Sequence, residues 1–230
     1  KLLDAIALQS ELMELSANKV RPAEAAVIEA KLDVGKGPIA TVLVLKGTLK
    51  TGDIFVVGCQ WGKVRALLDD TGSMVNIAKP SVPVEVLGLN GTPEAGDLLN
   101  VVSDESKARE LSNYRMQLLK DKKAALGSGT SFEQLLANAK NKENISELPV
   151  LVKSDVQGSA EAIVQALNKV GNDEVIIKVL YSGVGAITES DILLAEASRS
   201  PVVGFNVRAN ASARELANQK NVEIKYFSII

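Results

Sequence analysis

The chain has 230 residues and a formal net charge of −2, with 46% hydrophobic, 23% charged and only 3% aromatic residues. These proportions are typical of a globular protein with aliphatic cores, and the length is enough for two domains. The sequence contains no histidine and one cysteine, Cys59. These counts exclude Ser-His-Asp and Cys-His catalytic arrangements, zinc sites built on histidine or on several cysteines, and an internal disulfide. We interpret Cys59 as a small apolar residue on a strand.

The first predicted element is a helix over residues 1–17, because apolar residues recur there at helical spacing and Asn18 is a plausible end signal. We assign residues 1–18 to a segment of its own. The longest apolar runs, such as Val42–Leu45, are far too short to cross a bilayer, and the opening residues do not have the pattern of a signal peptide. These features predict a cytoplasmic location without a membrane partner.

Residues 19–102 change to an alternating pattern that is typical of strands. In residues 27–34 the even positions are apolar, so we expect those side chains to face a core and Glu29, Lys31 and Asp33 to face solvent. Further short strands separated by glycine turns are predicted at 39–45, 54–57, 63–68, 82–89 and 98–102. This spacing predicts an antiparallel β-barrel or sandwich.

A connecting segment is predicted at residues 103–147. Ser103 or Asp104 is expected to cap a long helix that runs to about Leu126, with acids early and lysines late, as the helix dipole favours. The Thr130–Gln134 stretch has the pattern of a capping box for a short second helix. Asn138–Ser146 is polar and is interpreted as a linker.

Residues 148–230 predict a small α/β domain. Four apolar or β-branched runs alternate with three helical stretches, and continuous apolar strands are typical of parallel sheets buried on both faces. The predicted strands are 148–152, 175–181, 202–205 and 222–227, and the predicted helices are 159–170, 189–198 and 211–220. The crossover rule makes this a four-stranded parallel sheet flanked by helices.

Three strand-to-helix loops of this domain are the places where a ligand would bind, because they share the carboxyl edge of the sheet. Their candidate residues are Asp155, Gln157, Gly158, Gly183, Gly185, Arg208, Asn210 and Arg214. The same residue types are also what tight turns and helix caps require, with Thr188 and Ser212 as ordinary caps. The structural interpretation is therefore favoured over a ligand site.

The sequence contains neither a phosphate-binding G-x-x-x-x-G-K-[ST] loop nor an Asn-Lys-x-Asp guanine-reading motif nor a G-x-S-x-G nucleophile elbow. We therefore predict that this chain is not itself an enzyme and has no catalytic, cofactor or metal residues. The barrel instead offers basic residues at turns and on strands. We take as candidate RNA contacts Lys36, Lys46, Lys50, Lys63 and Arg65, for backbone contact rather than base readout.

Several segments together resemble the bacterial translation initiation factor 2 family of translational GTPases. In the first half the resemblance is carried by Leu32–Pro38, Gly47–Asp53, Val84–Leu89 and Pro93–Asp97. In the second half it is carried by Lys153–Ser159, Gly183–Asp191 and Phe205–Arg214. The likeness covers essentially the whole chain.

The resemblance implies a middle fragment of such a factor. Residues 1–18 would be the last helix of a preceding GTPase domain, which would hold GTP or GDP and Mg²⁺, and a tRNA-binding barrel would follow. The barrel would be of the translational-GTPase second-domain type. The implied partners are small-subunit ribosomal RNA and the neighbouring domains of the same protein, with the chain otherwise a monomer.

The resemblance leads to one main hypothesis and two alternatives. In the main hypothesis the parent factor promotes initiator-tRNA binding to the small ribosomal subunit and subunit joining in a GTP-dependent way. This segment would dock on the ribosome and relay nucleotide state between the end domains. The alternatives are a passive structural spacer and a small α/β ligand-binding or enzymatic domain.

Overall fold

The computed structural model describes residues 1–33, 35–128, 146–170 and 175–229. The chain begins with helix α1, Leu2–Leu12. All of its side chains are exposed. The helix is shorter than the predicted 1–17, because Glu14 adopts a left-handed backbone conformation with φ of 46° and ends the helical geometry.

The first domain is an antiparallel barrel, as predicted. Its strands are β1 (Glu24–Asp33), β2 (Gly37–Lys46), β3 (Leu49–Lys50), β4 (Ile54–Val57), β5 (Gln60–Leu68), β6 (Met74–Val75), β7 (Ile77–Ala78), β8 (Pro83–Leu89) and β9 (Leu98–Val102). Six strands follow the order β4-β9-β1-β2-β8-β5, and pairing of β4 with β5 closes the ring. The short strands β3 and β7 pair separately as a two-stranded ribbon.

The barrel interior is aliphatic, as the composition predicts. Alanine, valine and leucine side chains fill it around a single fully buried aromatic residue, Phe55. Gly88 is required where β8 crosses β5, because a Cβ there would lie 2.0 Å from the Lys63 carbonyl oxygen and φ is +111°. This close approach lets the strands curve into a barrel of small radius.

The predicted alternation of β1 is wrong at one point. Val27 and Ala30 are buried, whereas Ile28 and Leu32 are exposed. The pairing of β1 with β2 shifts register between Val27 and Glu29, which is the signature of a β-bulge. The extra residue changes the inward-facing positions of the strand from odd-numbered to even-numbered ones. Leu32 lies on the same side of the strand as the buried Ala30 but is exposed near the strand end.

The long helix α2, Glu105–Ser128, follows the barrel directly. Of the two predicted caps, Asp104 is the one used, since its Oδ1 accepts the Lys107 backbone N–H at 2.8 Å. At about 1.5 Å per residue, 24 residues give a length of about 36 Å. The predicted second helix at 130–134 and most of the predicted linker at 138–146 lie outside the described residues.

The second domain is a four-stranded parallel sheet with helices, also as predicted. Its elements are β10 (Ser146–Ser154), α3 (Gln157–Val170), β11 (Val175–Val184), α4 (Glu189–Ser198), β12 (Val202–Phe205), α5 (Ala211–Lys220) and β13 (Ile224–Phe227). The strand order is β11-β10-β12-β13. Helices α4 and α5 cover one face through Ile192, Ala195 and Ala213, and α3 covers the other through Ile163.

Candidate interaction surfaces

One end of the barrel gathers basic side chains around a cleft. Lys19, Arg21, Lys50 and Lys79 line a volume of about 490 Å³ together with Asp53 and the half-exposed Ile77. We call this the basic cleft. Among the described residues, Lys19 and Lys79 carry no ion pair, and the carboxylate of Asp53 is already used to accept the Lys50 backbone N–H at 2.8 Å. The cleft therefore presents several cations that lack matching carboxylates.

Backbone pairing brings these four residues together from distant parts of the sequence. The residues that precede β1 run beside the β2–β3 turn, where the Gly47 N–H donates to the Asn18 carbonyl and the Thr48 hydroxyl donates to the Lys19 carbonyl, both at 2.8 Å. Pairing of β3 with β7 then places Lys50 opposite Ile77. Lys19 and Arg21 were not among the predicted contacts, because only the fold places them beside Lys50.

The other predicted barrel contacts are dispersed. Lys46 lies near the basic cleft, but Glu24 accepts its ion pair at 3.9 Å and that of Arg21 at 3.5 Å. Lys63 and Arg65 share the outer face of β5, and Lys36 lies in the β1–β2 turn. In that turn Asp33 accepts the Lys36 and Gly35 N–H groups, which lowers the pKa of its carboxyl. The structure thus unites only Lys50 of the five with a larger basic cluster.

The first half of α2 is fastened to the barrel. Ala108, Ser112 and Arg115 lie on one helix face, with Ala108 fully buried. The Ser112 hydroxyl donates to the Cys59 carbonyl, and Arg115 Nη1 donates to the Gly58 carbonyl at 2.9 Å. These contacts make the start of α2 move with the barrel.

The turn that α2 contacts corrects the interpretation of Cys59. It lies in the turn between β4 and β5 rather than on a strand. Burial raises the pKa of its thiol, which disfavours the reactive thiolate. The neighbouring Trp61 ring stacks with Arg109 of α2, whose guanidinium carbon lies 4.8 Å from the ring centroid. The turn is thus part of the surface on which α2 packs.

The three predicted loops of the α/β domain do meet at one edge of the sheet. Gly185 N–H donates to the Ser154 carbonyl at 2.8 Å, Ile187 N–H to the Arg208 carbonyl at 3.2 Å, and Asn210 N–H to the Ile187 carbonyl at 3.1 Å. These backbone donors are therefore used within the protein. The arrangement provides rigid loops, and it gives no support to an anion site made of their backbone N–H groups.

The crevice where the strand order reverses lies between β10 and β12, and it is the usual ligand position in such sheets. Here Asn206 Nδ2 donates across it to Asp155 Oδ2 at 3.4 Å. Asp155 also accepts the Val156 N–H and the Ser154 hydroxyl. The predicted residue Asp155 therefore ties two loops together.

The remaining predicted loop residues have local roles or are open to solvent. Gln157 donates to Glu161 one helical turn on, and a Cβ on Gly158 would meet nothing within 4 Å. Gly183 leaves the space in which the Tyr181 side chain lies, since a Cβ there would be 2.8 Å from its hydroxyl. Asn210 is the N-cap position of α5, which corrects the predicted cap Ser212. Arg208 and Arg214 are exposed.

A charged pair is buried beneath this edge. Lys153 Nζ lies 3.4 Å from Asp191 Oδ2, and both side chains are more than nine-tenths buried. Asp191 also accepts the N–H and the hydroxyl of Thr188, both at 2.8 Å, which caps α4 as predicted for Thr188. Tyr181 covers Lys153, with Nζ 5.6 Å from the ring centroid. This network fixes α4 to the central strand.

The barrel contacts the α/β domain at the same edge. Lys31 of β1 forms an antiparallel bridge with Val156, and Leu32 lies against Gly185. A Cβ on Gly185 would be 2.8 Å from Leu32 Cδ2, and the Gly185 φ of +99° is one that side chains rarely adopt. We call these four residues the junction. Gly185 is thus required by the approach of another domain.

The Lys31 side chain is fixed on the barrel side of the junction. Its Nζ donates to Glu85 Oε1 at 2.6 Å, and this hydrogen bond raises the pKa of Lys31. The main chain of Lys31 remains available to pair with Val156. Leu32, exposed near the end of β1, and the Lys31–Glu85 ion pair together present this strand end to the second domain.

Across residues 1–33, 35–128, 146–170 and 175–229, no group of three or more metal-ligating side chains could hold an ion. Within the same ranges, none of the helices has both the length and the apolar character needed to cross a membrane. The surfaces that stand out are therefore the basic cleft and the junction.

Two protein-family descriptions match the chain. One, described as translation-initiation factor 2, matches residues 121–230, and the other, described as elongation factor G domain 2, matches residues 22–102. Among solved structures, the crystal structure of GDP-bound aIF5B from Aeropyrum pernix matches with a TM-score of 0.52 and 25% identity. That match covers 99% of this chain and 38% of the archaeal one.

Curated relatives match at much higher identity. The translation initiation factor IF-2 of Paracoccus denitrificans is 70% identical over 229 residues, and that of Ruegeria pomeroyi is 69% identical over 230. The chain spans 27% and 28% of the lengths of these two proteins. Since this identity extends over the whole chain and the two family descriptions match both of its domains, the chain belongs to the bacterial translation initiation factor 2 family.

Proposed function

We propose that this chain is the ribosome-docking and signal-relay part of a GTP-dependent initiation factor. The parent protein would promote initiator-tRNA binding to the small ribosomal subunit and subunit joining, in the cytoplasm. GTP or GDP with Mg²⁺ would bind a preceding GTPase domain, and initiator tRNA would bind a following barrel. The fragment would supply no catalytic group and would act as a monomer within the factor.

The docking part of the proposal rests on the basic cleft. Phosphate contacts need cations that are not already neutralised by carboxylates, and Lys19, Lys50 and Lys79 meet this condition. The described residues that line the cleft include no aromatic side chain, so backbone contact with folded ribosomal RNA fits better than base readout. Arg21, partly held by Glu24, would add a planar donor.

The relay part rests on the junction, the single observation that carries it. A barrel that only carried the next domain would need no contact at the carboxyl edge of the sheet. Instead the end of β1 contacts Val156 and Gly185, which lie in two loops that are hydrogen-bonded to each other and, through the second, to the third loop. A rotation of the barrel would therefore displace all three loops together, which a flexible tether would not do.

Charge reversal tests the docking part. Lys50→Glu/Lys79→Glu should weaken small-subunit binding of the 230-residue chain at least tenfold and flatten its salt dependence, because about two phosphate contacts are lost. Lys120→Glu/Lys122→Glu on the exposed part of α2 is the matched control, since it changes the net charge equally. Equal affinity of the two variants in filter binding would refute docking through the basic cleft.

A further inference from the structure

A second basic groove lies on the α/β domain and includes Arg208, which belongs to the third of the three loops described above. It runs between α5 and β13, has a volume of about 350 Å³, and has Arg208, Arg214, Asn218 and Tyr226 as its polar lining. Val222 and Ile224 form an apolar floor. We call it the arginine groove. Its size is within the range of pockets that hold small molecules or single nucleotides, about 300–1,000 Å³.

The tyrosine in this groove is held by a cation. The Arg208 guanidinium carbon lies 5.6 Å from the centroid of the Tyr226 ring, a distance at which the charge is attracted to the ring face. Tyr226 is nevertheless 43% exposed. The pair therefore presents a positioned aromatic surface next to a positive charge, and neither group is consumed by packing.

Neither arginine has a carboxylate partner among the described residues. By contrast, Lys220 and Lys225 on the same helix and strand pair with Glu196 at 3.0 Å and Glu223 at 3.3 Å. Arg214 also lies in the first turn of α5, which contains no acid and where a cation opposes the helix dipole. Its placement is unfavourable for the helix and leaves the charge free for a ligand.

The combination fits one kind of partner. Guanidinium groups bind phosphate through two parallel hydrogen bonds, and a tyrosine face stacks on an unpaired base. An acidic peptide would use the arginines but would gain little from the ring. We propose that the arginine groove binds a single-stranded segment of RNA, with phosphates on Arg208 and Arg214 and a base on Tyr226. This inference rests on the proposed ribosomal function and adds a second contact to it.

Binding of a labelled single-stranded oligoribonucleotide to the 230-residue chain, followed by fluorescence anisotropy across a salt series, tests the proposal. Arg208→Gln/Arg214→Gln should weaken binding at least tenfold and reduce the slope of log K against log salt by about 1.4, since single strands lose about 0.7 per phosphate contact. Lys220→Gln/Lys225→Gln removes two charges from the same elements and should change binding less than threefold.

The stacking part needs its own variants. Tyr226→Leu should weaken binding about fivefold or more, whereas Tyr226→Phe, which keeps the ring, should bind as the unchanged chain does. The proposal is overturned if the unchanged chain does not bind the oligomer at micromolar concentrations, or if the two double variants behave alike. Competition by polyglutamate as effective as that by RNA would assign the groove to an acidic peptide. Docking through the basic cleft is tested separately, by small-subunit binding of Lys50→Glu/Lys79→Glu, so either of the two proposals can fail without the other.

Discussion

Gly185 is the most informative position for a single substitution, because two constraints meet there. Its φ of +99° is unfavourable for any side chain, and a Cβ would lie 2.8 Å from Leu32 Cδ2 of the barrel. Gly185→Ala therefore introduces a backbone cost within the α/β domain and a steric cost between the domains. The two costs can be measured separately.

The expected magnitudes follow from these two contacts. A left-handed backbone costs an alanine about 1–2 kcal/mol. Displacing Leu32 from its rotamer costs about 0.5–1.5 kcal/mol more, since its side-chain end is flexible. The sum of about 1.5–3.5 kcal/mol lowers the melting temperature of a domain of this size by about 6–28 °C. Leu32→Ala in the Gly185→Ala background should recover only the steric part, about 1 kcal/mol.

Urea denaturation of the single and double variants gives this coupling energy directly. Two glycines serve as controls. Gly52→Ala has an equally positive φ of +93° but open space around the Cβ, so Leu32→Ala should rescue none of its cost. Gly158→Ala, on α3 with open space and an ordinary φ, should be neutral or slightly stabilising. If Leu32→Ala and Gly185→Ala were strictly additive, the junction would not exist in solution.

Three further predictions concern helix α2 and the buried Lys153–Asp191 pair. Arg115→Met should destabilise the barrel by about 1–2 kcal/mol in urea denaturation, because a hydrogen bond from α2 is lost. Asp191→Asn should cost the α/β domain about 3–5 kcal/mol by leaving Lys153 buried without its partner, and adding Lys153→Met should recover part of this in the same assay. The hydrogen bond from the Lys107 N–H lowers the folded-state pKa of Asp104. The contribution of Asp104 to stability is therefore fully present above the unfolded pKa, about 3.9, and is lost as pH falls through the folded value. Asp104→Ala should make barrel stability, measured by denaturation across a pH series, less sensitive to acid.

The architecture could be predicted because local patterns decide it. Period-2 strands with glycine turns and, later, continuous apolar strands alternating with helices are each consistent with one fold class. The helices 189–198 and 211–220 have the bounds predicted. The predicted division into segments 1–18, 19–102, 103–147 and 148–230 stays a prediction.

The alternation of β1 could not be predicted correctly, because a bulge leaves no clear mark in the sequence. Residues 28–34 alternate, yet the extra residue at Ile28 leaves that side chain exposed and lets Val27 and Ala30 both face inward. Leu32 lies on the same side of the strand as the buried Ala30 but is 44% exposed, and alternation alone does not distinguish such a strand-end position from a core position. The sequence therefore concealed the residue that contacts Gly185.

The candidate site was predicted in part. The three loops were identified by their place after parallel strands, which topology guarantees, whereas the role of Gly183 and Gly185 as packing glycines depends on Tyr181 and Leu32. Likewise Lys50 was selected, but Lys19 and Arg21 join it only through pairing of segments far apart in the chain. The local spacing of residues along the sequence does not reveal long-range contacts of this kind.

The relay proposal is tested most directly by locking the junction. A Cβ on Gly185 would lie 3.5 Å from Leu32 Cβ, within reach of a disulfide. In the full-length factor with its other cysteines, including Cys59, replaced, Leu32→Cys/Gly185→Cys should oxidise readily and lose most GTP-dependent initiation-complex formation, and reductant should restore it. Full activity of the oxidised protein would show that the junction need not move, and would leave the passive spacer as the correct description.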